Sequence, residues 1–177
     1  RSLPPAGQGL PLASGDAATL VLTGTRDALV LEEDGNYLVT VDGAILRVFE
    51  DGMLESLVQT SENSASGMIY HEQAVLMLDN TGESLVRYDA QWSATTVATG
   101  LGDPVEGAVV LDRGVVFVGC NDGALYALDA LTGVQRWRFA TTAEVVRAPI
   151  VTADTVFLVN ADDTVFAVNR GTGEQRW

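Results

Sequence analysis

The chain repeats itself with a period of forty residues, and its last two repeats can be aligned position by position. Residues 115–137 and 155–177 align without a gap, and nine of their 23 positions are identical. A fixed period of this length is typical of a repeated supersecondary unit, so it constrains the fold more than any single residue does. The identical positions are Val116/Val156, Phe117/Phe157, Asp122/Asp162, Ala127/Ala167, Thr132/Thr172, Gly133/Gly173, Gln135/Gln175, Arg136/Arg176 and Trp137/Trp177.

The same step of forty extends to the first half of the chain, where the identities are mostly lost but the apolar character remains. These columns predict four degenerate units over residues 25–177. The apolar columns are Val30, Tyr70, Val110, Ile150; Tyr37, Met77, Phe117, Phe157; Leu38, Leu78, Val118, Leu158; Ile45, Leu85, Leu125, Val165; and Leu46, Val86, Tyr126, Phe166.

Each unit reads as four short strands separated by turn residues. In the third unit, residues 108–111, 115–119, 125–128 and 134–139 are apolar runs, and Asn121-Asp122-Gly123 is a tight-turn signal between two of them. Asp42-Gly43, Asn80-Thr81-Gly82 and Asp162-Asp163 lie at or next to the same turn of the other units. No stretch has a helical apolar period over ten or more residues, so the sequence predicts an all-β fold.

Four-stranded units of this length are the blades of a β-propeller, whereas a two-sheet sandwich requires no forty-residue register. We predict four antiparallel blades, at residues 25–64, 65–104, 105–144 and 145–177, the last of them incomplete. Residues 1–16 hold three of the five prolines and read as an extended linker. Residues 17–24 contain one strand candidate, which we interpret as the outer strand of another blade.

The last two units carry a motif that resembles the tryptophan-docking motif of quinoprotein (PQQ-like) propeller repeats. The first copy has Ala127, Asp129, Thr132, Gly133 and Trp137, and the second has Ala167, Asn169, Thr172, Gly173 and Trp177. The resemblance implies that the Thr-Gly turn positions the tryptophan, which stacks on the adjacent blade. The first two units depart from the motif, because Arg47 and Arg87 replace the alanine and Trp92 lies off its position. Of these two units, only the second keeps the acid, as Asp89.

The resemblance also implies a larger ring. Quinoprotein-like rings have seven or eight blades, whereas about four are present here. We therefore expect a fragment, or a half ring completed by another segment or chain. A self-closed four-bladed ring, with residues 18–23 pairing onto the last blade, is the alternative.

The chain is acidic, with ten arginines, no lysine, 24 acids and a net charge of −14. This charge argues against nucleic-acid binding through phosphates, which requires a basic surface, and we predict no nucleic-acid partner. No apolar run approaches the roughly 20 residues of a transmembrane helix. An acidic solubilising surface encoded by a GC-rich genome and adaptation to high salt both remain open as explanations of this charge.

Three of the acids recur at the step of forty, namely Glu32, Glu72 and Asp112, each at the end of the innermost strand of its unit. Equivalent positions on successive blades lie on one face of a propeller, so these residues predict an acidic arc that binds a basic partner or a cation. A merely solvated rim is the alternative, because strand ends and turns favour acidic residues and exposed charges are screened.

Catalytic groups are scarce. His71 is the one histidine and Cys120 the one cysteine, so no His/Cys transition-metal site and no internal disulfide can form. His71 is interpreted as an interior or channel-wall residue, and Cys120 as a small residue at a strand end. We predict no catalytic residue, no metal and no cofactor.

The sequence therefore predicts a non-catalytic scaffold for protein–protein interaction. It resembles the lipoprotein propeller of the bacterial outer-membrane β-barrel assembly machine (BamB-like), which implies export to the periplasm, outer membrane or cell surface and protein partners. A ligand-sensing propeller of a cell-surface or kinase-linked protein is one alternative. A fragment of a quinone-dependent dehydrogenase, whose calcium ligands would lie in other blades, is the second.

Overall fold

The computed structural model describes residues 26–31, 36–41, 44–49, 53–59, 68–79, 84–102 and 104–177. These residues form β-strands, turns and loops only, as the sequence predicted. None of them belongs to a helix of the length and apolarity that would cross a membrane. The predicted linker at residues 1–16 and the strand candidate at 17–24 lie outside the described residues.

The strands form four antiparallel sheets, each built from consecutive strands, which are the blades of a propeller. Blade 1 contains β1 (Arg26–Leu31), β2 (Tyr37–Val41), β3 (Ala44–Val48) and β4 (Leu54–Gln59). Blade 2 contains β5 (Met68–His71), β6 (Ala74–Asp79), β7 (Ser84–Tyr88) and β8 (Ala94–Ala98). Blade 3 contains β9 (Pro104–Asp112), β10 (Val115–Cys120), β11 (Ala124–Asp129) and β12 (Gln135–Ala140). Blade 4 contains β13 (Ile150–Val151), β14 (Thr155–Val159) and β15 (Val165–Asn169).

Meandering strands place the connections of each blade on two opposite faces. On the lower face lie the turns that join the first strand to the second and the third to the fourth. Gly114 and Ala130, from two such turns, share a 2.9 Å backbone hydrogen bond. On the upper face lie the turns between the second and third strands and the links between blades. Cys120 and Val145 share a 3.1 Å backbone hydrogen bond there.

The core lies between blades, because strands with alternating apolar side chains bury one set against the preceding blade and the other against the following blade. We call these contacts the 1–2, 2–3 and 3–4 interfaces. The 1–2 interface buries Leu38 and Ile45 with Met68, Val75, Met77 and Tyr88. The 2–3 interface buries Leu76, Leu78 and Leu85 with Val116, Val118, Tyr126 and Leu128. The 3–4 interface buries Phe117, Leu125 and Trp137 with Val156, Leu158 and Val168.

The forty-residue period is exact for blades 3 and 4 but shifts by one residue in parts of blades 1 and 2. Phe117 pairs with Ala127 and Phe157 pairs with Ala167 across their hairpins. In blade 2 the residue that pairs with the equivalent Arg87 is Leu76 rather than Met77. In blade 1 Leu38 rather than Tyr37 pairs with Arg47. The two adjacent columns, Tyr37, Met77, Phe117, Phe157 and Leu38, Leu78, Val118, Leu158, were therefore both wrong in their first two members.

Hairpin lengths explain these shifts. Three residues separate the end of β10 from the start of β11, whereas four separate β6 from β7 and two separate β2 from β3. A one-residue change in a hairpin moves every following side chain to the other face of the sheet unless a second change compensates. The third-strand columns keep their facing, because Ile45, Leu85 and Leu125 each pack against the following blade, whereas Val86, Tyr126 and Phe166 each pack against the preceding blade.

The upper-face turns of blades 3 and 4 use the left-handed backbone conformation that their sequences indicate. Gly123 has φ of 78° and Asp163, the equivalent residue, has φ of 58°. The N–H of each donates to the carbonyl three residues earlier, at 3.2 Å and 3.0 Å respectively. The turn signals at residues 42–43 and 80–82 lie outside the described residues.

Candidate functional site at the blade interfaces

Trp137 contacts blade 4 through both its ring and its N–H. Its side chain is only 7% exposed, and Nε1 donates a 2.8 Å hydrogen bond to the carbonyl of Arg170. The indole lies directly on Gly173, where a Cβ would be 2.8 Å from the ring. Phe117 packs against the same indole with ring centroids 5.7 Å apart. Trp137 therefore joins its own blade to the lower-face turn of the next blade.

Asn169, Thr172 and Gly173 shape the turn that receives this ring. Asn169 Oδ1 accepts hydrogen bonds from the N–H groups of Gly171 and Thr172, at 2.9 Å and 3.1 Å. The Gly173 N–H donates to the Asn169 carbonyl at 2.8 Å, and Gly173 has φ of 73°. Glycine is needed here because the left-handed conformation strains other residues and because any Cβ would meet the indole.

The equivalent turn of blade 3 has Asp129 in place of the asparagine. Asp129 Oδ1 accepts 3.0 Å hydrogen bonds from the N–H and the hydroxyl of Thr132, and Oδ2 accepts one of 2.7 Å from Arg136. The hydrogen bond from Arg136, with those from Thr132, holds the pKa of Asp129 well below its usual range. Neutral Asn169 offers no such charge, and the equivalent arginine, Arg176, binds Asp154 Oδ2 instead, at 3.3 Å.

Ala127 faces Trp137 across β11 and β12 and is fully buried. The corresponding cross-strand pairs are Arg87 with Thr95 in blade 2 and Arg47 with Glu55 in blade 1. In the first two blades, both the tryptophan and the alanine opposite it are therefore replaced by other residues. In blade 1 an ion pair of 3.0 Å, between Arg47 Nη1 and Glu55 Oε2, occupies their place.

The 2–3 interface uses the glycine of blade 3 without a tryptophan. Gly133 has φ of 69°, and a Cβ added to it would collide with the backbone carbonyl of Val97 in β8. The backbone of blade 2 thus fills the space that an indole fills at the 3–4 interface. Apolar side chains from both blades supply the rest of this contact.

Trp177 repeats the local geometry of Trp137. Its ring lies 6.1 Å from Phe157 at an interplanar angle of 48°, against 5.7 Å and 49° for Phe117 and Trp137. The Ala167 N–H donates to the Trp177 carbonyl at 3.1 Å, so this segment runs beside β15. The Trp177 side chain is 63% exposed.

The two described residues of the predicted acidic arc, Glu72 and Asp112, do not occupy equivalent positions. Glu32 lies outside the described residues. Glu72 is the first residue of its two-residue turn, with φ of 48°, and corresponds to Arg113, with φ of 47°. Asp112 ends its strand and corresponds to His71. Both described acids lie on the lower face, but Glu72 is displaced by one residue from the place of Asp112.

Asp112 forms an ion pair at the 3–4 interface, whereas the side chain of Glu72 is exposed at its turn. Arg170 Nη2 lies 2.7 Å from Asp112 Oδ2 and donates a 3.0 Å hydrogen bond to the Asp112 carbonyl. The side chain of Glu72 is 72% exposed, and its Oε1 lies 3.7 Å from His71 Nε2. Of these two predicted partner-binding residues, Glu72 is the one available to a protein at the lower face.

An open polar cleft lies on the upper face between blades 3 and 4. Asp162 is 3.4 Å from the Thr142 hydroxyl, and Glu144 is exposed at the link between the blades. Neither acid is in an ion pair with another described residue. The residues lining the cleft are Asn121, Asp122, Gly123, Thr141, Thr142, Ala143, Glu144 and Asp162.

Asp122 is the cleft carboxylate whose negative charge is balanced by an arginine. Its Oδ2 accepts hydrogen bonds from the Tyr126 hydroxyl at 2.7 Å and from Arg138 Nη2 at 2.8 Å. Partial burial acts to raise the pKa of Asp122, but these hydrogen bonds and the one from the Ala124 N–H outweigh it, so the pKa is lowered. Burial raises the pKa of Tyr126.

The described residues offer little for covalent or metal chemistry. His71 ends β5 with its side chain 30% exposed, and Cys120 is fully buried at the end of β10 and forms no disulfide bond. Within the described part of the chain, no three His, Cys, Asp or Glu residues converge on a position that could hold a metal ion. The arrangement is suited to binding through surface charge and main-chain groups.

Two residues at these interfaces were not identified from the sequence. Arg170 supplies both the carbonyl that binds Trp137 and the guanidinium that binds Asp112, yet it occupies a variable position of the repeat. Gly102 lies so close to Asp122 that a Cβ would collide with the carboxylate. Neither position has a counterpart at the step of forty, so the period gives no signal for them.

Comparison with known proteins identifies related repeats and related folds. A family model described as "Outer membrane protein assembly factor BamB" matches residues 71–177. A quinohemoprotein alcohol dehydrogenase from Comamonas testosteroni is 32% identical over 109 residues, which are 55% of this chain and 15% of the relative. The chain thus spans less than a sixth of the length of this curated relative.

Solved structures at lower identity share the fold. BamB from Moraxella catarrhalis superposes with a TM-score of 0.60 at 17% identity, covering 87% of this chain and 61% of that one. The computationally designed Ika4 protein superposes with a TM-score of 0.69 at 15% identity, covering 89% of this chain and 99% of that one.

Proposed function

We propose, from the premise that the chain belongs to the family of the outer membrane protein assembly factor BamB, that it is a non-catalytic propeller scaffold that binds other proteins. The family match carries this proposal, because residues 71–177 include both complete docking motifs. Those residues hold blades together and leave the turns of both faces available for contacts. Export to the periplasm, outer membrane or cell surface is part of the proposal and follows from the family.

The partner we propose is a protein with a basic segment. The chain has a net charge of −14, and a surface of one sign attracts the opposite sign at long range. Glu72 on the lower face and Glu144 and Asp162 on the upper face have no arginine partner among the described residues. We retain Asp112 in the proposed acidic surface, but its contact with Arg170 makes it a weaker contributor than Glu72.

An NMR titration with a defined lysine-rich peptide tests this proposal and identifies the face. The peptide should perturb the backbone amides around one cluster of acids and leave the other cluster unchanged. We expect Glu32→Gln with Glu72→Gln to weaken binding severalfold if the lower face is the site. Glu144→Gln with Asp162→Asn is the matched pair for the upper face. Equal weakening by both pairs would mean that the peptide follows net charge alone, and would overturn the proposal.

One observation supports a second candidate function, a fragment of a quinone-dependent dehydrogenase. The 32% identity to the quinohemoprotein alcohol dehydrogenase covers 109 residues. Thermal unfolding with pyrroloquinoline quinone and Ca²⁺ separates the candidates. A scaffold should show the same Tm with and without them, whereas a quinone-dependent rise in Tm would support the dehydrogenase.

A further inference from the structure

Arg47 lies between an acid of its own blade and an aromatic ring of the next. Its Nη1 is 3.0 Å from Glu55 Oε2, across the β3–β4 pair. On the other side, the guanidinium carbon lies 6.0 Å from the centre of the Trp92 ring, which belongs to the lower-face turn of blade 2. Cations at this distance from an indole face are attracted by its electron-rich surface.

This arrangement reverses the one at the 3–4 interface. There the ring comes from the outer strand of the preceding blade, where Trp137 lies on the turn of the following blade. At the 1–2 interface the turn itself supplies the ring. The turn is one residue shorter, since the Trp92 N–H donates to the carbonyl of Asp89 at 2.9 Å, three residues earlier. Trp92 takes the left-handed conformation, with φ of 59°, that Gly173 takes in blade 4.

We infer that Arg47, Glu55 and Trp92 form a salt-sensitive hinge contact through which blade 1 parts from blade 2. The 3–4 interface is held by a buried ring and a hydrogen bond from a neutral indole to a carbonyl, in addition to the ion pair between Arg170 and Asp112. The 1–2 contact depends on the charge of a half-buried arginine, which dissolved ions screen.

Opening of the 1–2 interface would expose the apolar residues of its core to solvent. Val75, Met77 and Tyr88 of blade 2 pack against Leu38 and Ile45 of blade 1. Parting of the blades would uncover this apolar surface, which is closed when Arg47 is in contact with Trp92. Opening needs no change at the 3–4 interface, because the two interfaces share no residue.

Fluorine NMR of the whole chain labelled with 5-fluorotryptophan tests the inference, since Trp92, Trp137 and Trp177 each give a resonance that a Trp→Phe variant assigns. Raising NaCl from 0.05 M to 1 M should increase the open population sensed at Trp92 about two- to fivefold, the factor expected for a cation–ring contact of this exposure. The Trp137 resonance should respond less than that of Trp92, because the Trp137 ring is buried and its hydrogen bond joins uncharged groups, although the Arg170–Asp112 ion pair lies at the same interface.

Arg47→Met should produce the open population already at low salt, and Arg47→Lys, which keeps the charge but not the planar group, should fall between it and the parent. Arg87→Met is the matched control, because Arg87 has the same place in blade 2 but faces Thr95. A Trp92 resonance that is insensitive to salt in the parent, or equal responses of the Arg47 and Arg87 variants, would overturn the inference. Should Arg47→Met prevent folding, the salt series on the parent and on Arg47→Lys decides the question alone.

Discussion

The 3–4 and 1–2 interfaces join neighbouring blades of one propeller with opposite arrangements of the same residue type. At the 3–4 interface Trp137 is 7% exposed, lies on Gly173 and donates to the Arg170 carbonyl. At the 1–2 interface Trp92 is half-buried and contacts a charged side chain. A repeat can therefore lose its docking residues while the apolar contact between blades persists.

The 2–3 interface keeps the docking glycine but has no docking tryptophan, and it shows why the loss of the tryptophan is tolerated. Gly133 remains in the left-handed conformation although no indole lies on it, because the Val97 carbonyl fills that space. The apolar cluster between these blades is large and includes side chains from both sheets. Burial of apolar area, rather than the docking residue, supplies most of the stability at this interface.

The largest expected effect is that of removing the docking ring. Trp137→Ala should lower the free energy of unfolding by about 3–5 kcal/mol, as for other large buried aromatic residues. Trp92→Ala is the matched variant and should cost about 1–2 kcal/mol, because that ring is half-buried. Chemical denaturation measures both, and an equal cost for the two variants would contradict the contrast between the interfaces.

Gly173→Ala should be nearly as disruptive. The added methyl group must lie in a left-handed backbone conformation and against the Trp137 ring, so we expect a loss of about 2 kcal/mol or more. Gly171→Ala, in the same turn, meets nothing closer than Asn169 Oδ1 at 3.5 Å and should be close to neutral. Thermal unfolding of the pair checks this, and a neutral Gly173→Ala would show that the ring does not need the glycine.

A smaller effect is expected at Asp129. Asp129→Ala removes the acceptor for the turn and should cost about 1 kcal/mol, whereas Asp129→Asn keeps the acceptor, as Asn169 does naturally, and should cost less. Because folding lowers the pKa of Asp129, its carboxylate contributes stability above the unfolded value of 3.8, and that contribution is lost as the pH falls through the folded value.

The difference in the free energy of unfolding between the parent and Asp129→Asn should therefore be constant near neutral pH and decrease below a pH of about 4. Urea titrations across this range measure it. A gap that persists at the lowest pH would show that the pair with Arg136 contributes no charge-dependent stability.

Much of this fold follows from the sequence, because the period reflects equivalent places in a radial array. The four blades are predictable from spacing and apolar pattern, and the docking of Trp137 on the adjacent blade is predictable from the motif. The shift of Leu76 and Leu38 by one residue is not, because compensating changes in hairpin length leave the overall period intact.

The interfaces of the first two blades were less predictable than those of the last two. Trp92 lies off its motif position, and only the fold shows that it contacts the arginine that replaced an alanine in the preceding blade. Arg170 could not be identified from the sequence for a related reason. It belongs to blade 4, but its carbonyl and its guanidinium bind residues of blade 3. Contacts between repeats depend on geometry that one repeat does not encode.

Native-state hydrogen exchange in increasing denaturant tests the difference between the interfaces most directly, because it measures the opening free energy of each strand. The predicted result is that amides in β10, β11 and β14 open together, at a higher free energy than amides in β2 and β3. A single opening free energy for all these strands, or earlier opening of β14 than of β3, would contradict the account.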